Sequence, residues 1–495
     1  MKNILSIIKQ YFKKEPYTNF VVAVCLLFIG VCCFFISREL FWAPYLAIAV
    51  VGLYLLFYKT EFFFYLIAFI IPLSIELREL KQGVSFGFSL PSELMLTALM
   101  LLFLLKLLID KDYPAIIRKQ SITLAIFFYL FWLFFTSITS TMPLISFKFL
   151  LAKLWFIVPA YFFFAQLLYR KIRAAVTFLL SYASGLILVV LITTYKHLAM
   201  ADIRKVAYWI MSPFYNDHTA YGVILAFFVM ILAVIPFIKS LPKWQRIYSF
   251  LLLIPALIGL YLSYSRAAWL SVIVAVGMAG LLLLKIRMRI VAITALILVG
   301  LFFAFKTDIM NELNKNTQDS SADNFGKHVQ SITNISSDAS NVERLGRWVA
   351  VFGMFDEKPF WGFGPGTYQF QYAPYQKPAY RTIITTNAGT GGNAHSEYLG
   401  PLAESGIFGT LSVLLLLFAV FGTGIHTYRK AKNQEIKMLV LLSILALTTY
   451  YFHGILNNFL DTEKLAIPVF GAMAIIAVCN ILVKEKETFN LPSAE

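Results

Sequence analysis

Apolar runs of about 17–25 residues recur along this chain of 495 residues, each long enough to cross a hydrocarbon core of about 30 Å as a helix. In that medium the backbone must satisfy its own N–H and C=O groups, which leaves a bundle of helices as the available fold. Charged residues make up only 14% of the chain, against about 25% in a soluble protein. An all-α integral membrane protein with about 12–14 transmembrane helices is expected. Hydropathy marks roughly fourteen spans, at 18–36, 41–57, 62–76, 92–109, 121–139, 149–168, 174–194, 217–238, 247–263, 267–284, 290–305, 400–424, 438–453 and 465–483. The second and third are short enough to pair as short or tilted helices.

The net charge of +16 does not call for nucleic acid as a partner, because its distribution follows the positive-inside rule. Lys59, Lys111, Arg118, Lys119, Arg170, Lys171, Arg173, Lys239, Lys243 and Arg246 fall in alternate loops. So do Lys285, Arg287, Arg289, Arg429, Lys430, Lys432 and Lys437. This places both termini in the cytoplasm and Arg266, residues 196–215, residues 306–398 and residues 453–464 on the outer face. The basic start, with Lys2, Lys9, Lys13 and Lys14, reads as an uncleaved start-transfer segment. Cys25, Cys32, Cys33 and Cys479 all lie within spans, so neither a disulfide framework nor a cysteine zinc site is implied.

The chain divides into helices over 1–305, a long polar loop over 306–398 and further helices with a short tail over 399–495. A loop of about ninety residues is too long to lack structure of its own. Ser340-Asn341-Val342-Glu343 has the form of a capping box. Leu345, Trp348, Val349, Phe352 and Phe355 then give one apolar helix face, with Arg344 and Arg347 on the more polar side. Asp356-Glu357-Lys358-Pro359 stops the helix, and an aromatic-glycine turn, Phe360-Trp361-Gly362-Phe363-Gly364-Pro365-Gly366, follows.

Several polar residues at outer span ends are candidates for chemistry. Arg266 begins a span directly after Ser263-Tyr264-Ser265. An Arg costs about 2.5–3.5 kcal/mol at mid-bilayer, less at a span end where it snorkels. It is read as an anion ligand, since its planar fork matches phosphate, with an interfacial anchor as the alternative. His395 stands where the loop becomes a helix, with Asn393 as a cap. A helix N-terminus keeps an imidazole neutral and able to accept a proton. Arg344, Arg347, Arg204, Asn216, Glu397, Tyr398 and Glu404 are read as substrate-binding, Glu404 with a possible orienting role. His453 with Asn457, Asn458 and Asp461 forms a further outer polar cluster, as does Asn216-Asp217-His218, each also explicable as a helix cap. Asp110-Lys111-Asp112 has metal-diphosphate spacing but lies on the cytoplasmic face. No metal and no cofactor are expected.

Taken in order, Arg266, Arg344 to Trp348, Pro359 to Gly366, His395-Ser396-Glu397-Tyr398-Leu399 and Glu404-Ser405-Gly406 resemble the O-antigen ligase and polymerase superfamily of bacterial membrane glycosyltransferases. The resemblance covers roughly residues 200–465. The family more often has His-Asn where this chain has His395-Ser396. The resemblance implies a glycan donor on undecaprenyl diphosphate at the periplasmic face of the inner membrane. It implies a metal-independent inverting transfer. The acceptor is lipid A-core for a ligase, a repeat unit for an O-antigen or exopolysaccharide polymerase, and Ser or Thr for a protein O-oligosaccharyltransferase. Ligase is the favoured reading. A glycolipid flippase is the alternative from another class, but it would not need a structured loop of this size.

Overall fold

A computed structural model describes residues 43–77, 88–200, 206–287, 289–290, 339–380 and 391–489, with isolated positions at 30, 34, 293, 297 and 300. The spans read at 18–36 and 290–305, the start-transfer segment, Arg204 and residues 306–338 lie outside that description, apart from those isolated positions. The chain forms two compact units, residues 1–64 and 65–495. Helix α1 (Ala43–Tyr58) belongs to the first, and α2 (Thr60–Ile70) runs from the first into the second.

The larger unit is a helical bundle, as its apolar runs require. Its long helices are α3 (Ser92–Asp110), α4 (Ser121–Ile138), α5 (Pro143–Ile157), α6 (Phe164–Arg170), α7 (Ala174–Leu198) and α8 (His218–Val234). They continue with α9 (Lys243–Leu262), α10 (Arg266–Leu283), α11 (Ala339–Glu357), α12 (Gly400–Lys430), α13 (Gln434–His453) and α14 (Glu463–Phe489). A π-helical segment, Val158–Phe163, joins α5 to α6, so that Pro143–Arg170 forms one span. Among the described residues ten helices are long and apolar enough to cross a membrane. Each falls on a span read from hydropathy, and α1 and α2 are the short pair. The protein is an all-α, multi-pass membrane protein. Its one sheet among the described residues is a minimal antiparallel pair, Ile75–Glu76 with Ser89–Leu90.

Helices α8, α13 and α14 form the centre. Nearly all of their side chains are buried, and α8 packs on α9, α10 and α13. Tyr182 of α7 stacks on Phe228 of α8, with ring centroids 4.6 Å apart. Helices α9, α10 and α12 keep much of their apolar surface exposed, the surface that lipid covers in a bilayer. The basic loops meet at one end of the bundle. Arg173 Nε lies 3.5 Å from Glu435 Oε1, Ser240 donates to Glu435 Oε2 at 2.7 Å, and Arg429 donates to the Ile286 carbonyl at 2.6 Å.

At the other end, the described part of the long loop folds onto the bundle around a core of its own. Ala350, Val351 and Met354 of α11 pack with Phe363, Tyr368, Tyr372, Ala394, Leu402 and Ala403. The buried face of α11 therefore differs from the one read from sequence. Glu343, Arg347, Ala350, Val351 and Met354 are buried, whereas Phe352 is 50% exposed. The reason is tertiary. Arg347 brings its own counter-charge, Glu343, one turn away at 2.8 Å, and its guanidinium lies 3.9 Å from the centre of the Tyr372 ring. So neutralised and stacked, an Arg packs on an aromatic wall that the helix sequence does not reveal.

The aromatic-glycine turn pins this layer to the membrane helices. Helix α12 breaks at Gly406 (φ 67°, ψ −165°), and the turn docks into the break. Phe363 N–H donates to the Ala403 carbonyl at 3.0 Å, Gly364 N–H to the Glu404 carbonyl at 2.7 Å, and Ile407 N–H to the Pro359 carbonyl at 2.9 Å. Trp132 of α4 donates to the Ser405 carbonyl at 2.8 Å and stacks on Trp361 at 5.5 Å. At Gly364 (φ +115°) a Cβ would lie 1.9 Å from Ser140 Oγ. Only glycine combines that backbone with that approach. We expect Gly364→Ala to destabilise the protein by at least about 2 kcal/mol, read as a lower midpoint in denaturant unfolding of the detergent-solubilised protein. An unchanged midpoint would mean that the turn is not clamped.

Candidate active site

The polar groups read at the outer span ends converge at the docked end of the bundle. Asp217 caps α8, its Oδ1 accepting from Thr219 N at 2.7 Å and Ala220 N at 2.8 Å. This sets His218 at the first turn, its ring edge-on to Tyr208 at 4.7 Å. Arg266 is the first residue of α10, after a sharp reversal with Tyr264 at φ 49°. Arg344 projects from α11, its Nε donating to the Leu456 carbonyl at 3.3 Å. The charge of Arg344 acts on His218, His395 and His453, that of Arg266 on His218, and that of Asp217 on His218 and His453. Arg344 is the charge that all three imidazoles have in common.

His395 holds a left-handed backbone (φ 51°), with its N–H donated to Asn393 Oδ1 at 3.1 Å. Asn393 therefore shapes the turn at His395. The start of α12 is held separately, by Ser396 Oγ accepting from Tyr398 N and Leu399 N at 3.3 Å each. Burial lowers the His395 pKa from 6.5 to about 4, helped by the charges of Arg344 and Arg347 and opposed by a hydrogen bond with Asn457. The neutral imidazole expected from the sequence is thus present, but burial and arginines produce it rather than a helix end. We assign the Asn457 oxygen as acceptor for one His395 N–H, which leaves the other ring nitrogen with a lone pair. The same amide's Nδ2 lies 3.5 Å from His453 Nδ1. His453 is 1% exposed.

The two loop arginines part company. Arg347 is buried and committed to Glu343, Tyr372 and the Gly391 carbonyl, 3.3 Å from its Nη1. Arg344 is only partly buried and turned towards the histidines. Tyr398 donates to the Tyr451 carbonyl at 2.8 Å and serves the packing of α12 on α13.

Beside this centre lies a cavity of about 520 Å³. Asn393, Ala394, Ser396 and Glu397, which flank His395, line it, as do Asn216 and Glu404. Asn216 Nδ2 donates to Glu76 Oε1 at 3.0 Å, and Glu404 Oε1 accepts from Tyr368 N at 3.1 Å. Glu397 joins two loops through a single oxygen. Its Oε1 accepts from Phe459 N at 2.7 Å, Leu460 N at 3.0 Å and the Tyr450 hydroxyl. Its own N–H donates to the Gly454 carbonyl at 2.8 Å. Burial, then the Asp461 charge, raises the Glu397 pKa against the pull of Lys153 and these donors.

The cavity also contains residues not singled out by sequence reading: Lys153, Glu93, Glu463 and Tyr129. Lys153 is buried within α5 and pairs with Asp461 at 2.8 Å. A charge inside an apolar run was the available signal for it. Glu93 and Glu463 start helices, where an acidic residue is ordinary, so nothing in the sequence set them apart. Among the described residues no three His, Cys, Asp or Glu side chains form a metal-binding set.

Because one Glu397 oxygen takes all three donors, Glu397→Gln should keep the fold, its amide oxygen replacing Oε1. Glu397→Ala should cost about 2–4 kcal/mol by leaving buried donors unpaired. Thermal unfolding of both variants in detergent checks this, and equal losses would overturn it.

A family model described as O-antigen ligase matches residues 250–414. An uncharacterised protein of Haemophilus influenzae is 23% identical over 268 residues, which cover 50% of this chain. The chain thus spans only about 60% of that relative's length. The matched segment holds Arg266, Arg344, Arg347 and His395, and over that segment the chain is similar to the O-antigen ligase family.

Proposed function

We propose that the chain transfers a glycan from an undecaprenyl-diphosphate carrier to an acceptor hydroxyl at the periplasmic face of the bacterial inner membrane, as an O-antigen ligase whose acceptor is lipid A-core. One observation supports this above the others: a neutral imidazole, His395, within the field of Arg344, with Arg266 and Arg344 both acting on His218. Base and anion ligand are then adjacent, as a one-step displacement on a glycosyl diphosphate needs.

The chemistry follows from the groups. The lone pair of His395 takes the proton of the acceptor hydroxyl. The oxygen attacks the anomeric carbon from the face opposite the diphosphate, and the carbon–oxygen bond to the diphosphate breaks, inverting the centre. The departing diphosphate gains charge, which Arg266 and Arg344 stabilise as preorganised cations. These cations carry the role a metal ion would otherwise fill. Asn457 holds the tautomer of His395. Arg347 holds α11 in place and adds to the positive field. A polymerase or a protein glycosyltransferase would use the same donor half of the site. The glycan profile of a deletion strain separates them: polymer left on undecaprenyl and missing from lipid A marks a ligase, whereas single repeats on lipid A mark a polymerase.

With purified protein and a labelled lipid-linked glycan, Arg266→Ala should abolish transfer with membrane insertion intact, and Arg266→Lys should be poor because the fork is lost. Arg344→Ala should be far more damaging than Arg347→Lys. His395→Ala should lower turnover by about 10²–10⁴-fold and leave donor binding in place. Wild-type-like transfer by the Arg266 or His395 alanine variant would refute the assignment, as would activity that EDTA abolishes and Mg²⁺ or Mn²⁺ restores.

The pH profile is a separate check. A base with a pKa of about 4 is already deprotonated at pH 6, so the acidic limb should lie near pH 4 rather than 6.5. Removing the positive charge of Arg344 favours the imidazolium and raises that pKa. The limb of any residual Arg344→Ala activity should therefore move up. A limb that stays in place would argue against His395 as the group titrating.

A further inference from the structure

The cavity beside His395 is lined by six carboxyl side chains, Glu76, Glu93, Glu397, Glu404, Asp461 and Glu463, and by Lys153, which is paired with Asp461. We propose that it is the subsite for the acceptor sugar, and that its carboxylates select a neutral or amino-bearing sugar over a phosphorylated or uronic one. This rests on the glycosyl-transfer reading above.

The volume, about 520 Å³, lies within the range of small-ligand sites, about 300–1,000 Å³. Its inner wall is built from charged side chains far out of solvent: Glu93 is 7% exposed, Glu463 2% and Lys153 3%. Two of the three are settled. Lys153 donates to Asp461 Oδ1 and to the Leu460 carbonyl, each at 2.8 Å. Glu463 Oε1 accepts from the Ser74 hydroxyl at 2.9 Å and that of Ser92 at 3.4 Å. Glu93 is not. Its carboxyl lines the cavity and feels Glu463 as a like charge. Among the described residues its one hydrogen-bond partner is the Ser89 amide. The Tyr129 hydroxyl also lines the cavity with no hydrogen bond among the described residues.

A nearly buried carboxylate short of donors is costly to keep. It is repaid by a ligand that brings O–H or N–H groups and no anion. Sugar hydroxyls give short charge-assisted hydrogen bonds to carboxylates. An ammonium group on the sugar would gain more, because its N–H groups would make charge-assisted hydrogen bonds to the Glu93 carboxylate. Trp132 and Phe149 add apolar surface to the lining, against which the C–H groups of a sugar can pack. Trp132 is rigid, since its indole N–H is tied to Ser405 and its ring to Trp361. The cavity lies beside His395, because Asn393, Ala394, Ser396 and Glu397 on both sides of it are among the lining residues. A sugar seated there presents a hydroxyl to the imidazole while the donor diphosphate stays with the arginines.

The test is equilibrium binding, not turnover. Full-length protein in nanodiscs would be titrated with chitobiose, N,N′-diacetylchitobiose and cellobiouronic acid, and separately with geranylgeranyl diphosphate. Chitobiose and its diacetyl form should bind at least about 10-fold more tightly than the uronic acid. Glu93→Gln should remove the advantage of chitobiose over its diacetyl form and leave geranylgeranyl diphosphate binding unchanged. Arg266→Ala should do the reverse. Tyr129→Phe, which removes one hydroxyl, gives a second readout, an affinity loss of about 3–10-fold for the diacetyl form. Diphosphate binding with no disaccharide binding, or tightest binding by the uronic acid, overturns the subsite and leaves the transfer reading standing. Disaccharide binding with no diphosphate binding overturns the transfer reading, and with it the acceptor role of the cavity.

Discussion

The docking of Pro359–Gly366 into the broken start of α12 is the constraint on which the outer end of the molecule depends. A membrane helix that opens at Gly406 frees backbone groups where water is scarce, and such groups need partners. The turn supplies them through Phe363, Gly364 and Pro359, and Trp132 supplies one from α4. The same contacts fix the height of α11 over the bundle, and with it Arg344. They also place Ala394, within the core of the loop layer, so that His395 emerges between that layer and the loop after α13. The loop segment that carries His395 is thus tied to the helical bundle.

Charge is sorted within this end. Arg344 and Arg266 raise the potential around the three imidazoles, while Glu76, Glu93 and Glu463 line the adjoining cavity. The Lys153–Asp461 pair stands on that cavity wall. Glu397 takes part in both regions. It ties the loop that carries Asn457 to the segment that carries His395, and its side chain forms part of the cavity wall. Charges of opposite sign keep their separate effects at short range because a low-dielectric surround does not average them out.

Much of this was legible in the sequence. Hydropathy located every membrane helix that is described, because a bilayer imposes one length and one polarity on each. The loop helix was legible from its apolar spacing and its Asp-Glu-Lys-Pro stop, and the docking turn from its glycines; the capping box read at Ser340 lies inside the helix, which already includes Ala339. Arg266, Arg344 and His395 stood out as polar groups at span ends; the charge of Arg344 acts on both His395 and His218, and that of Arg266 on His218. The face that α11 buries was misread, since Glu343, Arg347 and Tyr372 together make a polar face packable and Tyr372 lies outside the helix.

The sequence by itself determined the class of fold, the succession of helices and the residues able to bind an anion or move a proton, because those depend on local composition and spacing. Tertiary structure alone decided which arginine is committed to packing and which faces the histidines, that Asn457 holds His395, and that Glu93 and Glu463 share a cavity. Each of these is a meeting of side chains far apart along the chain. Burial and neighbouring charge, which set the behaviour of an ionisable group, exist only once those side chains have met.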